Sequence, residues 1–114
     1  MSTAKILVYG KQPEILATVL RLINKEETWQ GEGHHDEEQV IELFTQKQYD
    51  LFLLGGGISE ESERKVRALF QRQQPDTPIV QHYGGGSGLL RTEIVSNLQS
   101  KQPAWQVSDN PFDA

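Results

Sequence analysis

Cysteine is absent from this 114-residue chain, which excludes disulfide bonds, a thiolate nucleophile and zinc held by cysteine. Long apolar runs are also missing. None approaches the roughly 20 residues that a membrane-spanning helix needs, so we expect no membrane partner. The stretch from Met1 to Lys5 leads into a short apolar segment and lacks the apolar core of a signal peptide. We therefore expect a cytoplasmic protein.

Positively charged residues are also fewer than negatively charged ones. The chain has 11 lysine and arginine residues against 16 aspartate and glutamate residues, a formal net charge of −5, and its basic residues are scattered. Nucleic-acid affinity depends on clustered lysine and arginine, so we expect no nucleic-acid partner. Apolar residues make up 36% of the chain, which is enough to bury a core. We expect a single domain over residues 1–114, with its core in about residues 1–101.

Short apolar runs alternate with longer segments of helical periodicity, which is typical of βα units on a parallel sheet. The predicted strands are residues 6–9, 29–35, 51–54 and 79–83, and the predicted helices cover about 13–24, the segments after the caps Asp36 and Ser59, and about 87–101. The strand over 29–35 is polar and contains two glycines, which places it at a sheet edge. Residues 105–108 form either a fifth strand or part of a terminal tail over 102–114.

Four segments of the sequence resemble segments of a known family. They are KILVYGKQPEIL at residues 5–16, YDLFLLG at 49–55, TPIV at 77–80 and NPFD at 110–113. In this order and spacing they resemble the receiver domains of bacterial response regulators over nearly the whole chain. The resemblance implies a three-layer α/β flavodoxin-like fold. Its doubly wound parallel sheet has the strand order 2-1-3-4(-5) and is truncated at the C-terminus.

The family's phosphorylation chemistry does not carry over to this sequence. In receivers, two carboxylates after the first strand and an aspartate ending the third hold magnesium, which needs oxygen ligands. Those positions are Gly10, Lys11 and Gly55 here, and the family's later Ser/Thr and Lys positions are Tyr83 and Asn110. The resemblance therefore implies a degenerate pseudo-receiver that is not an enzyme, needs no cofactor and acts through protein contacts in signalling.

Glycine is concentrated where turns are expected at the carboxyl ends of the strands, at Gly10, Gly31, Gly33, Gly55 to Gly57, Gly84 to Gly86 and Gly88. Backbone N–H groups in such turns can cradle an anion. A site formed by Lys11, Gly84, Gly85, Gly86, Ser87 and Gly88, with help from Tyr83, gives an alternative function, binding of a small molecule or anion. The competing interpretation is that the glycines only satisfy tight turns, because they match no nucleotide-binding fingerprint.

Histidines raise the question of a metal site. His34 and His35 lie on the second strand, and His82 lies on the fourth. In the order 2-1-3-4 these strands are three spacings apart, about 14 Å, whereas zinc holds its ligands at about 2 Å. We therefore predict no metal site and interpret His82 as a packing residue with a satisfied ring.

The end of the chain implies an uncovered surface. If residues 105–108 form a fifth strand, the family's last helix is missing. If the helix over 87–101 is that last helix instead, the fourth strand is an exposed edge. Either exposure is unfavourable in water, so we predict a homodimer or another protein partner.

Overall fold

Four parallel strands form the centre of the molecule, with helices on both faces. The structure is a computed structural model that describes residues 3–82 and 86–101, with side chains in the last helix described for residues 89–98. Its elements are β1 (Ala4–Tyr9), α1 (Pro13–Asn24), β2 (Trp29–His34), α2 (Glu37–Gln46), β3 (Leu51–Leu54), α3 (Glu60–Gln73), β4 (Ile79–Gln81) and α4 (Gly86–Lys101). The strand order is β2-β1-β3-β4. This confirms the predicted flavodoxin-like α/β fold; the suggested strand over 105–108 lies outside the described residues.

The helices begin where the sequence predicts. Pro13 occupies the first turn of α1, where its missing N–H costs nothing. The Asp36 carboxylate accepts a hydrogen bond from the Gln39 N–H at 3.3 Å, and the Ser59 hydroxyl accepts one from the Ser62 N–H at 3.1 Å. These caps satisfy N–H groups that have no partner inside the helix.

Alternate side chains of the central strands enter two separate cores, as the period of two requires. On one face, the β1 residues Ile6 and Val8 and the β3 residues Leu51 and Leu53 pack against α1 and α4. The opposite face carries the other side chains of these two strands, which pack against α2 and α3. The continuously apolar β3 is buried on both faces, as predicted for a central strand.

The edge strand β2 corrects one expectation. Gly31 and Gly33 do not lie in a turn but inside β2, paired with Ile6 and Val8 of β1. A Cβ at Gly33 would lie 2.1 Å from the Val8 carbonyl oxygen, and a Cβ at Gly31 would lie 2.8 Å from Ile23 of α1. Glycine is needed here because β2 runs too close to its neighbours for a side chain.

Helix α4 lies on the same face as α1. Its buried Leu90 and Ile94 join the core formed by α1, and Arg91 forms an ion pair with Glu26 at 2.5 Å, just after α1. In the described strand order, β4 is an edge of the sheet. None of the helices in the described ranges is long and apolar enough to cross a membrane.

Candidate functional site

The carboxyl ends of β1 and β3 bring Gly10 and Gly55 together. The Gly55 N–H donates to the Tyr9 carbonyl oxygen at 2.8 Å, which holds the end of β3 beside the end of β1. A Cβ built on Gly55 would lie 3.5 Å from the Gly10 Cα, and one on Gly10 would lie 4.0 Å from the Gly55 Cα. These are ordinary contact distances, so both positions have room for a Cβ. Two positions at which the family resemblance places carboxylates are therefore adjacent, and they carry no side chain.

Lys11 is exposed at the start of the turn between β1 and α1. The turn after β3 lies against it, because a Cβ on Gly57, which has φ +81°, would lie 3.4 Å from the Lys11 Cβ. The pKa of the Glu37 carboxyl is lowered, chiefly by a hydrogen bond from Lys65 and then by one from Ser62, with a smaller effect from the charge of Lys11. The positive charge of Lys11 thus acts on the start of α2.

The structure describes only some of the remaining predicted site residues. Tyr83, Gly84, Gly85 and Asn110 lie outside the described residues. The backbone of residues 86–88 forms the first turn of α4, which begins one residue earlier than predicted, and the side chain of Ser87 is not described. The anion site suggested for Lys11 and the stretch over 84–88 therefore stays a prediction.

A chain of polar contacts that runs from the buried Tyr9 to the exposed Lys65 was not predicted from the sequence. The Ser62 hydroxyl donates to the Glu37 carboxylate at 2.6 Å, and it lies 2.7 Å from the hydroxyl of the buried Tyr9. Because the single Ser62 proton goes to the carboxylate, the Tyr9 hydroxyl is the donor to Ser62. The Lys65 amine lies 2.8 Å from the second Glu37 oxygen. This chain joins the end of β1 to the first turns of α2 and α3.

The opposite face of the same sheet edge contains an apolar cleft of about 200 Å³. Its lining includes Gly10, Gly55 to Gly57, residues of α1 and His82. The His82 side chain is only 9% exposed, and its Nδ1 lies 2.6 Å from the Glu93 carboxylate of α4. The expectation of a buried His82 with a bonded ring nitrogen agrees with this geometry, but neither its partner Glu93 nor the cleft was predicted from the sequence.

The histidines at the other end of the sheet form no site with His82. His34 and His35 lie at the β2 edge with their ring centroids 4.8 Å apart, and β4 is the opposite edge. The His34 Nδ1 accepts a hydrogen bond from the Asp36 N–H at 3.1 Å, so this ring helps the Asp36 cap to start α2. Across the described residues, no group of three His, Asp or Glu side chains is placed to hold a metal ion.

Comparisons with solved structures agree with the receiver-like fold. A sensor protein from Polaromonas sp. JS666 is similar with a TM-score of 0.72 and 14% identity, over 86% of this chain and 98% of that one. A histidine kinase in complex with a response regulator protein contains a similar chain with a TM-score of 0.64 and 17% identity, over 88% and 99% of the two chains.

A third similar structure is the signal receiver domain of an HD domain-containing protein from Pseudomonas fluorescens Pf-5. It has a TM-score of 0.62 and 17% identity, over 87% of this chain and 72% of that one. No protein-family model matches the chain, and no curated protein matches it significantly. At these identities the likeness establishes the fold alone.

Proposed function

We propose that this chain is a non-catalytic pseudo-receiver, one domain over residues 1–114, that acts in cytoplasmic signalling through protein contacts and without phosphotransfer. The observation that carries the proposal is the adjacency of Gly10 and Gly55. The resemblance assigns the magnesium ligands of a receiver to positions that here are Gly10, Lys11 and Gly55. Magnesium needs oxygen ligands in near-octahedral geometry, and these residues supply no carboxylate.

The test is to titrate the protein with magnesium and beryllofluoride and to monitor its backbone amide signals in NMR spectra. The unaltered chain should show no magnesium-dependent shifts at Gly10 or Gly55. The triple variant Gly10→Asp, Lys11→Asp and Gly55→Asp should gain such shifts, because a Cβ fits at both glycines.

A control triple variant, Lys25→Asp, Gln46→Asp and Gln48→Asp, changes the net charge by the same amount at exposed positions and should gain nothing. Magnesium-dependent beryllofluoride binding by the unaltered chain, or its labelling by acetyl phosphate, would contradict the proposal.

We further propose that the protein contact includes a second copy of the chain. The strand β4 is an edge among the described strands, and the large apolar side chains of Ile15 and Leu89 are 54% and 46% exposed. Apolar side chains at an uncovered face favour association. One of the similar structures contains a receiver-like chain bound to another protein, which supports protein contact as the mode of action.

Light scattering during size-exclusion chromatography tests the dimer. We expect twice the monomer mass of 12.9 kDa at high concentration, and a monomer for the double variant Ile15→Lys and Leu89→Lys. The exposed Thr45 of α2 provides the control, since Thr45→Lys should leave the dimer intact. A monomer mass at every concentration would refute the dimer.

A second candidate function is binding of a small molecule at the carboxyl edge of the sheet. The observation that favours it is the cleft beside Gly10, Gly55 and His82. The two functions are tested separately, because binding in the cleft does not depend on magnesium, although Ile15 belongs both to the cleft lining and to the proposed dimer surface.

A further inference from the structure

The cleft on the α1 face is lined by the apolar side chains of Val8, Leu16 and Leu53 and by the glycine backbone after β1 and β3. Among its described lining residues, His82 contributes a buried polar side chain. A neighbouring hollow of about 390 Å³ between α1 and α4 shares Ile15, Val19 and His82 with it. The two hollows therefore adjoin along α1, and the wider one offers a route of entry.

His82 is the polar anchor of this cleft. With Glu93 ionised, its carboxylate can only accept a hydrogen bond, so the ring Nδ1 is the donor in this contact. In the neutral ring, this leaves Nε2 as an acceptor. The described residues provide no hydrogen-bond partner for Nε2, although 91% of the side chain is buried. A buried acceptor without a partner is unfavourable, and a ligand that donates to it would remove that cost.

The size and lining of the cleft define the class of ligand. A cavity of roughly 150 Å³ lined by aliphatic side chains accepts a benzene ring, and this cleft holds about 200 Å³. We propose that it binds a small molecule with one aromatic ring and one hydrogen-bond donor, whose donor reaches His82 Nε2. This site deepens the second candidate function, on which it rests, and does not depend on the magnesium chemistry of the pseudo-receiver proposal.

Phenol and toluene are the probes, because they share ring size and differ in the hydroxyl donor. Titration of the full chain, followed by amide signals in NMR spectra, should shift Gly10 and Gly55 to Gly57 with either probe. One added neutral hydrogen bond should make phenol bind between two- and tenfold more tightly than toluene. This comparison needs no substitution, so it does not depend on the folding of any variant.

Substitutions then test whether His82 causes the preference for phenol over toluene. His82→Leu should abolish the preference for phenol and leave toluene binding in place. His35→Leu removes an exposed ring from the distant β2 side of the sheet and should leave the preference unchanged. Absence of phenol shifts around the cleft, equal affinities of the unaltered chain for the two probes, or a phenol preference that survives His82→Leu would each overturn the inference. A negative outcome here leaves the magnesium experiment unaffected, so failure of the two proposals is distinguishable.

Discussion

The close approach of β2 to β1 makes Gly33→Ala the most severe small substitution that we expect in this molecule. Its new Cβ would lie 2.1 Å from the Val8 carbonyl oxygen, whereas ordinary contact begins at about 3.4 Å. The neighbour is backbone, so β2 must withdraw by ~1.3 Å. That shift takes the adjacent ladder hydrogen bonds out of range.

The expected magnitude follows from these terms. Two ladder bonds at about 1 kcal/mol each and an overpacking cost of about 1–3 kcal/mol give a loss of about 3 kcal/mol or more. For a domain of this size, that loss lowers the Tm by roughly 10–15 °C. Thermal unfolding followed by circular dichroism measures it.

Two other glycines calibrate the experiment. A Cβ at Gly31 would meet the Ile23 side chain at 2.8 Å, and a side chain can give way, so Gly31→Ala should cost less. A Cβ at the exposed Gly56 has nothing within 4 Å, so Gly56→Ala should be neutral or stabilise by up to about 1 kcal/mol. If Gly33→Ala unfolds at the same temperature as Gly56→Ala, the pairing of β1 with β2 is wrong.

Three further predictions concern polar contacts, and urea unfolding checks each. Ser62→Ala leaves the buried Tyr9 hydroxyl without its acceptor and should cost about 1–3 kcal/mol; adding Tyr9→Phe should recover part of the loss, and no recovery would argue against the bond. The pKa of Glu37 is lowered from 4.5, chiefly by the hydrogen bond from Lys65, so its stabilisation is present above pH 4.5 and is lost as the pH falls through the folded-state pKa. Glu37→Gln should therefore cost stability at pH 7 and progressively less below pH 4.5, and a cost independent of pH would refute this. Asp36→Ala should cost about 1 kcal/mol through loss of the α2 cap, and Asp36→Asn almost nothing; equal losses would show that the cap contributes little.

Local signals were sufficient for most of the fold. The apolar run over residues 51–54 identified a central strand because only a strand covered on both faces needs four consecutive apolar side chains. Pro13 and the apolar spacing that follows it located α1, which ends at Asn24 as predicted. The two caps, Asp36 and Ser59, act within three residues of their own position, so the sequence alone was enough to find them.

Non-local contacts were the part that the sequence could not provide. Gly31 and Gly33 were assigned both to the edge strand over 29–35, which is confirmed, and to the glycines of the turns, which is wrong, because a glycine forced by a neighbouring strand has the same local pattern as one in a turn. The bond between Tyr9 and Ser62 joins residues 53 positions apart. One signal was available: Ser62 is a polar residue on the buried stripe that continues with Val66 and Phe70, and buried polar groups need partners.

The cleft and its anchor required knowledge of where α4 packs. Its lining combines residues that follow β1, β3 and β4 with residues of α1, and the partner of His82 comes from α4. The apolar pattern of α4 predicted a helix but did not say which face of the sheet it covers. The Lys11 site remains a prediction for a different reason, since residues 83–85 lie outside the described part of the chain and the side chain of Ser87 is not described.

Because α4 packs on the same face of the sheet as α1, it restricts how a further strand can be added beside β4. A parallel strand beside β4 that followed directly from α4 would make a left-handed crossover, and about 98% of such crossovers are right-handed. A strand that pairs with β4 is therefore expected to come from a longer connection or from another molecule. Because β4 has only three residues, this edge of the sheet offers few hydrogen bonds. A strand from another molecule must therefore gain most of its binding energy from contacts with the helices beside β4.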